Sequence, residues 1–284
     1  MDQHTSSSPR GRRGLVRALL ALAIAGTAIG LGRPAAAQSA PAICSSTMSK
    51  VDDTSGVANA CTTGKGQAAI DLRYANLSFS DATGTGIATY PQAGVRVGVS
   101  DVLELDAYAG SYERRRSSAV AAHGYGDAAF GARYRVLGSG RAVVTAVADA
   151  SVPTGDPGYS AGKTQYSIGL ASRYALGTAL AVETSLTYGS RYSDPTGTNP
   201  QWYASYAPAV ALVTSPVDGT SFYVEGSGAT KAAPGLGPEY QLGAGVRRQL
   251  GSGTVVALGL TDGLSLVNGT RSHELRFALT KLIK

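Results

Sequence analysis

The chain has little with which to build a conventional soluble core. From Gly66 to its end Leu, Ile and Phe are sparse, and Ala and Val fill most apolar positions. No stretch there repeats its apolar residues at the spacing of a helical face. Histidine is limited to three residues, His4, His123 and His273, so general-base chemistry has few groups to draw on. Cysteine is limited to two, Cys44 and Cys61, and no His, Asp or Glu spacing around them supports a metal site. The one long apolar run lies at the N-terminus, from Ala18 to Leu31.

That run has the marks of an export signal. Arg10, Arg12, Arg13 and Arg17 precede it, and Ala35-Ala36-Ala37 follows, with Gln38 as the expected first mature residue. The apolar core is too short for a comfortable membrane-spanning helix. Pro-Ala-Ile before Cys44 is a poor lipidation sequence. Removal of 1–37 also changes the charge reading. The whole chain has 25 Lys+Arg against 19 Asp+Glu; the segment takes away five arginines and one aspartate, leaving 20 against 18. A net +2 does not suggest a nucleic-acid partner.

Residues 38–65 are rich in Ser, Ala, Thr and Gly, without a clear period, and contain both cysteines. An exported chain with an even cysteine count usually pairs them. The segment is expected to be a periplasmic extension or a plug, with Asp52 and Asp53 as solvated loop residues.

From Gly66 onward twelve segments have strand character, roughly 66–79, 86–99, 102–114, 126–137, 142–153, 163–176, 179–193, 201–215, 220–231, 238–250, 253–264 and 272–284. Residues 124–158 show the pattern most clearly. Ala128, Phe130, Ala132, Tyr134 and Val136 share one face, and Asp127, Ala129, Gly131, Arg133 and Arg135 the other. Gly138-Ser139-Gly140 is expected to supply positive-φ residues to the turn. Each strand is about ten residues long, enough for a tilted strand to cross a bilayer. Tight connections (100–101, 138–140, 177–178, 217–219 and 251–252) alternate with longer ones (115–125, 154–162, 194–200, 232–237 and 265–271). An outer-membrane barrel alternates in this way, with short turns on the periplasmic side. An even strand count puts both termini on that side.

The two faces differ in chemistry. One carries Ile70, Leu72, Leu105, Ile168, Leu170, Leu186, Leu242, Leu275 and Phe277, among others. The other carries Asp71, Arg73, Arg96, Glu104, Asp106, Arg133, Arg135, Asp149, Arg173, Glu183, Arg191, Glu225, Glu239, Arg247, Glu274 and Arg276. In a soluble sandwich the charges would face outward; in a barrel they face the lumen and the apolar side meets lipid. Alternation alone does not separate these senses. The export signal, the strand length and the loop alternation favour the barrel, with those sixteen residues as pore-lining candidates. Tyr is the main aromatic, at 15 against four Phe and one Trp. Tyr74, Tyr174, Tyr188, Trp202 and Tyr206 fall near strand ends, as interfacial girdles do.

The sequence GYGDAAFGARYRVL, a turn, then AVVTAVADASVPTGDPG resembles the central hairpin of the outer-membrane family named for the meta-pathway of phenol degradation. GVRVGVSDVLELDAYAG (94–110) is similar to its preceding hairpin. The resemblance implies a transporter-like barrel without catalytic residues or cofactors. This chain departs from outer-membrane barrels in general at its end, Thr280-Lys281-Leu282-Ile283-Lys284, where they usually carry an aromatic residue.

Two other chemistries are weighed. A Ser-His pair could form at the outer rim from His123, in the link before the fourth strand, with Ser117 or Ser118, while His273 begins the last strand at the same end. Residues 157–164, PGYSAGKT, nearly imitate a phosphate loop but lack its first glycine and precede a strand. The expected fold is therefore all-β, a twelve-stranded antiparallel transmembrane β-barrel over 66–284 with a disulfide-containing N-terminal extension. The expected function is a passive outer-membrane channel for small solutes, aromatic or apolar ones among them. The alternative is a closed structural or anchoring barrel, with a barrel-embedded hydrolase third. Expected partners are outer-membrane lipid, lipopolysaccharide, the barrel-assembly machinery and small solutes, with no nucleic acid and no cofactor.

Overall fold

The computed structural model describes residues 42–51, 54–79, 85–116, 121–193, 200–264 and 271–283. The export signal over 1–37, Asp52, Asp53, Ser117 and Ser118 lie outside the described residues. Two short 3-10 turns, Ala42–Cys44 and Met48–Lys50, come first. The strands follow: β1 (Ala68–Phe79), β2 (Gly86–Gly98), β3 (Leu103–Tyr108), β4 (Tyr112–Arg116), β5 (Ala121–Tyr125), β6 (Ala128–Gly138) and β7 (Ala142–Val152). Then come β8 (Gln165–Ala175), β9 (Leu180–Ser193), β10 (Gln201–Val217), β11 (Thr220–Ala229), β12 (Glu239–Gln249), β13 (Thr254–Gly263) and β14 (Ser272–Ile283).

All pairings are antiparallel, and β1 pairs with both β2 and β14, which closes the sheet. The ring has twelve members, β1 to β3 and β6 to β14, each beside its neighbour in sequence. Closure gives each of the twelve ring strands a partner on both sides, as hydrocarbon requires, while β5 pairs with β4 alone. The expected architecture is thus present, with strand limits within a few residues of the period-two segments.

The structure differs from the sequence reading in two places. The third segment is broken: β4 pairs with the outer half of β2 and with β5, so β3–β4 and β5–β6 form two staves, each interrupted once. The breaks face one another. A Cβ on Gly110 would stand 2.0 Å from the Gly126 carbonyl oxygen, so only glycine lets the two backbones approach there. The link read as loop over 115–125 is therefore mostly hairpin, and His123 sits in β5. The outward positions of the β4–β5 hairpin include Arg114 and Arg116, which leave no apolar alternation to find. The second difference is the turn after β6. Gly138 and Gly140 are not among the glycines with positive φ. The turn is instead held by Ser139, whose N–H donates to the Ala142 carbonyl at 2.7 Å while its Oγ accepts from the Ala142 N–H at 3.1 Å. Positive φ serves elsewhere, at Gly219 and Gly251 in the turns after β10 and β12 (both +68°).

The faces are inverted relative to a soluble protein. Ile168 and Leu260 are 62% and 60% exposed, whereas Asp71, Arg96 and Glu104 are fully buried. Apolar side chains outside and ionised ones within suit a barrel whose outer solvent is lipid. The architecture places the protein in the bacterial outer membrane.

Candidate functional site

Strand alternation turns the side chains of all sixteen charged candidates to the inner wall, where three clusters form. The first spans five adjacent strands. Arg96 on β2 donates from Nε to Asp71 Oδ2 on β1 at 2.7 Å, and its Nη1 lies 3.6 Å from Glu104 Oε1 on β3. Arg133 on β6 stands 3.6 Å from the same Glu104 oxygen and 3.8 Å from Asp106 Oδ2. Thr280 on β14 donates its hydroxyl to Asp71 Oδ1 at 2.6 Å. These partners meet because neighbouring strands place opposite positions about 5 Å apart, with Glu104 directly opposite Arg133.

The other two clusters cross the barrel. Glu183 on β9 pairs with Arg173 on neighbouring β8 and, at 3.3 Å, with Arg247 on β12. Two strands separate β9 from β12 along the wall, so this contact runs as a chord through the lumen. The Arg247 guanidinium also lies over the Tyr223 ring, 5.0 Å from its centroid. Arg276 on β14 pairs with Glu274 at 2.6 Å and stands 3.6 Å from Glu225 on β11, again skipping two strands. Arg173 is thus held by Glu183, and Asp149 on the intervening β7 accepts from Ser167 at 3.1 Å. Asp149 and Arg191 are exposed.

Residues 54–63 lie against this wall all round. The Thr63 N–H donates to Glu104 Oε2 at 2.6 Å, and the Ala60 carbonyl accepts from Thr145 of β7 at 2.5 Å. The Ala58 N–H reaches Ser185 of β9 at 3.2 Å, and the Gly56 N–H reaches Glu225 Oε2 at 2.7 Å. Thr54 hydrogen-bonds the Tyr223 hydroxyl at 2.6 Å, and its carbonyl accepts from Arg276 at 3.1 Å. Lys50 donates to the Thr63 carbonyl at 2.8 Å and to Gln67 at 3.0 Å, folding the segment back towards the start of β1. Cys44 and Cys61 are disulfide-bonded, with Cα atoms 5.4 Å apart, and pack with Ala60 on Val143 of β7 and Ala171 of β8. Gly56 has no room for a side chain, since a Cβ would stand 2.7 Å from Ser227 Oγ. Composition gave no sign that Glu104 and Glu225 serve this segment's backbone as well as the wall's arginines. Strand spacing predicts contacts along a ladder, and these partners come from a stretch without period.

The two candidate histidines face away from the lumen. His273 Nδ1 is 3.4 Å from Asp262 Oδ1, both side chains about half exposed on the outer surface. His123 is exposed on β5, its ring 5.8 Å from that of Tyr112. Residues 157–164 contain two positive-φ glycines, Gly158 and Gly162, and lead into β8. Among the described residues no group of three or more His, Cys, Asp or Glu side chains could hold a metal ion.

No protein-family model and no curated protein matches the chain in sequence. Among solved structures, it is similar to an outer-membrane channel from Pseudomonas putida F1, with 16% identity, a TM-score of 0.60, and 76% of this chain and 95% of that one covered. It also resembles the NanC porin (7% identity, TM-score 0.53, covering 75% and 98%). A third similar structure is the translocator domain of the autotransporter NalP from Neisseria meningitidis (11% identity, TM-score 0.52, covering 77% and 88%). At these identities the likeness is one of fold, a closed outer-membrane barrel.

Proposed function

We propose that this protein is a passive channel for small solutes across the outer membrane, with a lumen narrowed by residues 54–63. One observation carries the reading: the polar, charged inner wall of a closed barrel whose outer wall is apolar. A barrel with only a structural task needs no ionised ring inside, since ion pairs there are costly to desolvate. A channel uses such rings to set its local potential. The sixteen inner-wall residues are accordingly the proposed pore lining, with residues 38–65 as a plug anchored through Glu104, Glu225 and Arg276.

The sequence resemblance of 94–158 supports membership of the meta-pathway outer-membrane family, and with it aromatic or apolar compounds as solutes. No catalytic role is assigned to any residue. Outer-membrane lipid and the assembly machinery are the proposed partners during insertion. The closed-barrel alternative also has an observation in its favour: the Asp71–Arg96–Glu104 cluster is sealed from solvent. Planar-bilayer recording of refolded protein separates the two. Stepwise single-channel conductance that rises in the Cys44→Ser/Cys61→Ser variant supports a plugged channel. Folded protein that stays silent in both forms supports the closed barrel.

A further inference from the structure

The hairpin β4–β5 has two unlike faces. Its inner face is covered: Tyr159 packs against Gly124, the Arg115 guanidinium lies 4.4 Å from the Tyr159 ring centroid, and Arg115 donates to the Gly158 carbonyl at 3.1 Å and pairs with Glu113 at 3.2 Å. Its outer face carries a row of tyrosines. Tyr74, Tyr90, Tyr112 and Tyr125 lie on β1, β2, β4 and β5 with successive ring centroids 6.1, 5.5 and 5.3 Å apart, in edge-to-face contact. A tyrosine row on the outer wall marks a membrane interface, where the ring is in hydrocarbon and the hydroxyl in water.

Cations stand above that row. Along β4, side chains on one face recur every second residue, so Arg114 and Arg116 follow Tyr112 outward at about 7 and 13 Å along the strand. Arg114 is directly opposite His123 in the ladder. All three are exposed, and no ion pair holds Arg114 or Arg116 among the described residues. With the strands tilted, the guanidiniums stand about 5 to 10 Å beyond the ring level, at headgroup depth. Short turns mark the periplasmic side of an outer-membrane barrel, and this hairpin lies at the opposite end, that of the outer leaflet. Its headgroups there belong to the phosphate-bearing glycolipid of the outer leaflet.

We propose that Arg114 and Arg116, with His123 beside them, bind the phosphate groups of lipopolysaccharide while the tyrosine row packs on its acyl chains. Guanidinium groups match phosphate oxygens two at a time, which a diffuse surface charge does not. The site lies on the outer wall and is independent of whether the lumen conducts.

The test uses full-length mature protein in detergent micelles, with binding of diphosphoryl lipid A measured against its dephosphorylated form and against inorganic phosphate. Each surface cation contributes about fivefold to binding an anionic lipid surface, so Arg114→Ser/Arg116→Ser should lower lipid A affinity about thirtyfold. The parent should bind the dephosphorylated form as weakly as this variant binds lipid A. Arg115→Ser, on the inner face of the same hairpin, should bind as the parent does. Equal affinity of parent and double variant overturns the proposal. An equal loss in Arg115→Ser also overturns it, because the effect is then one of hairpin folding. Displacement of lipid A by inorganic phosphate at matched concentration overturns the assignment to lipid in favour of a free-anion site.

Discussion

Arg96 offers the sharpest perturbation of the inner wall. Its guanidinium is fully buried between Asp71 at 2.7 Å and Glu104 at 3.6 Å. Arg96→Met keeps the chain's bulk and leaves two buried carboxylates without their cation. Breaking a buried pair from one side costs about 3–5 kcal/mol, whereas an exposed pair is worth under about 1 kcal/mol. Asp71 retains the Thr280 hydroxyl and Glu104 retains Arg133 and the Thr63 N–H, so the expected loss is at the low end, about 3 kcal/mol. Asp71→Asn should cost a similar amount. The two together should cost less than their sum by about 1.5–3 kcal/mol, because the second change removes a charge the first left unpaired. Reversible urea unfolding in lipid vesicles, followed by the emission of Trp202, the single tryptophan, on the exposed outer wall, measures all three variants. Single losses below about 1 kcal/mol with additive effects would mean that water reaches the pair, and the reasoning from burial would fail.

Three further outcomes follow from the same contacts. Gly56→Val should push residues 54–58 off β11 and raise single-channel conductance without changing the folded barrel's gel mobility; unchanged conductance would show that the segment does not narrow the path. Cys44→Ser/Cys61→Ser removes a cross-link worth about 3 kcal/mol in the chain-entropy estimate for a loop of this length, yet the barrel should still insert; loss of the compact form on gels would show that the disulfide holds the wall itself. The mature protein should fractionate with the outer membrane and migrate differently before and after boiling, and identical migration with a soluble fraction would contradict the architecture.

The strands were legible because lipid outside and charge inside write a period of two into the crossings, as in Leu72 between Asp71 and Arg73, or Tyr134 between Arg133 and Arg135. Where the outer face leaves the hydrocarbon the rule lapses. Arg114, Arg116 and His123 face polar surroundings, so the end of β4 and all of β5 read as loop. The inner wall was legible as a set but not as pairs. Ladder spacing points to Arg133 with Glu104, which neighbouring strands do bring together. It gives no hint of Glu183 with Arg247, which meet through the lumen. Nor could any period locate residues 54–63, whose backbone N–H and C=O groups are satisfied one by one by Glu104, Thr145, Ser185, Glu225 and Arg276.

The most direct measurement of the central claim is the reversal potential of single channels in a salt gradient. Parent protein is compared with Arg133→Ser/Arg135→Ser, which removes two inward-facing guanidiniums from β6. A conducting lumen lined by these residues predicts a reversal potential shifted towards that of a cation-selective pore in the variant. Equal reversal potentials from two folded, conducting proteins would remove these arginines from the pore wall, and silence of both would contradict the channel itself.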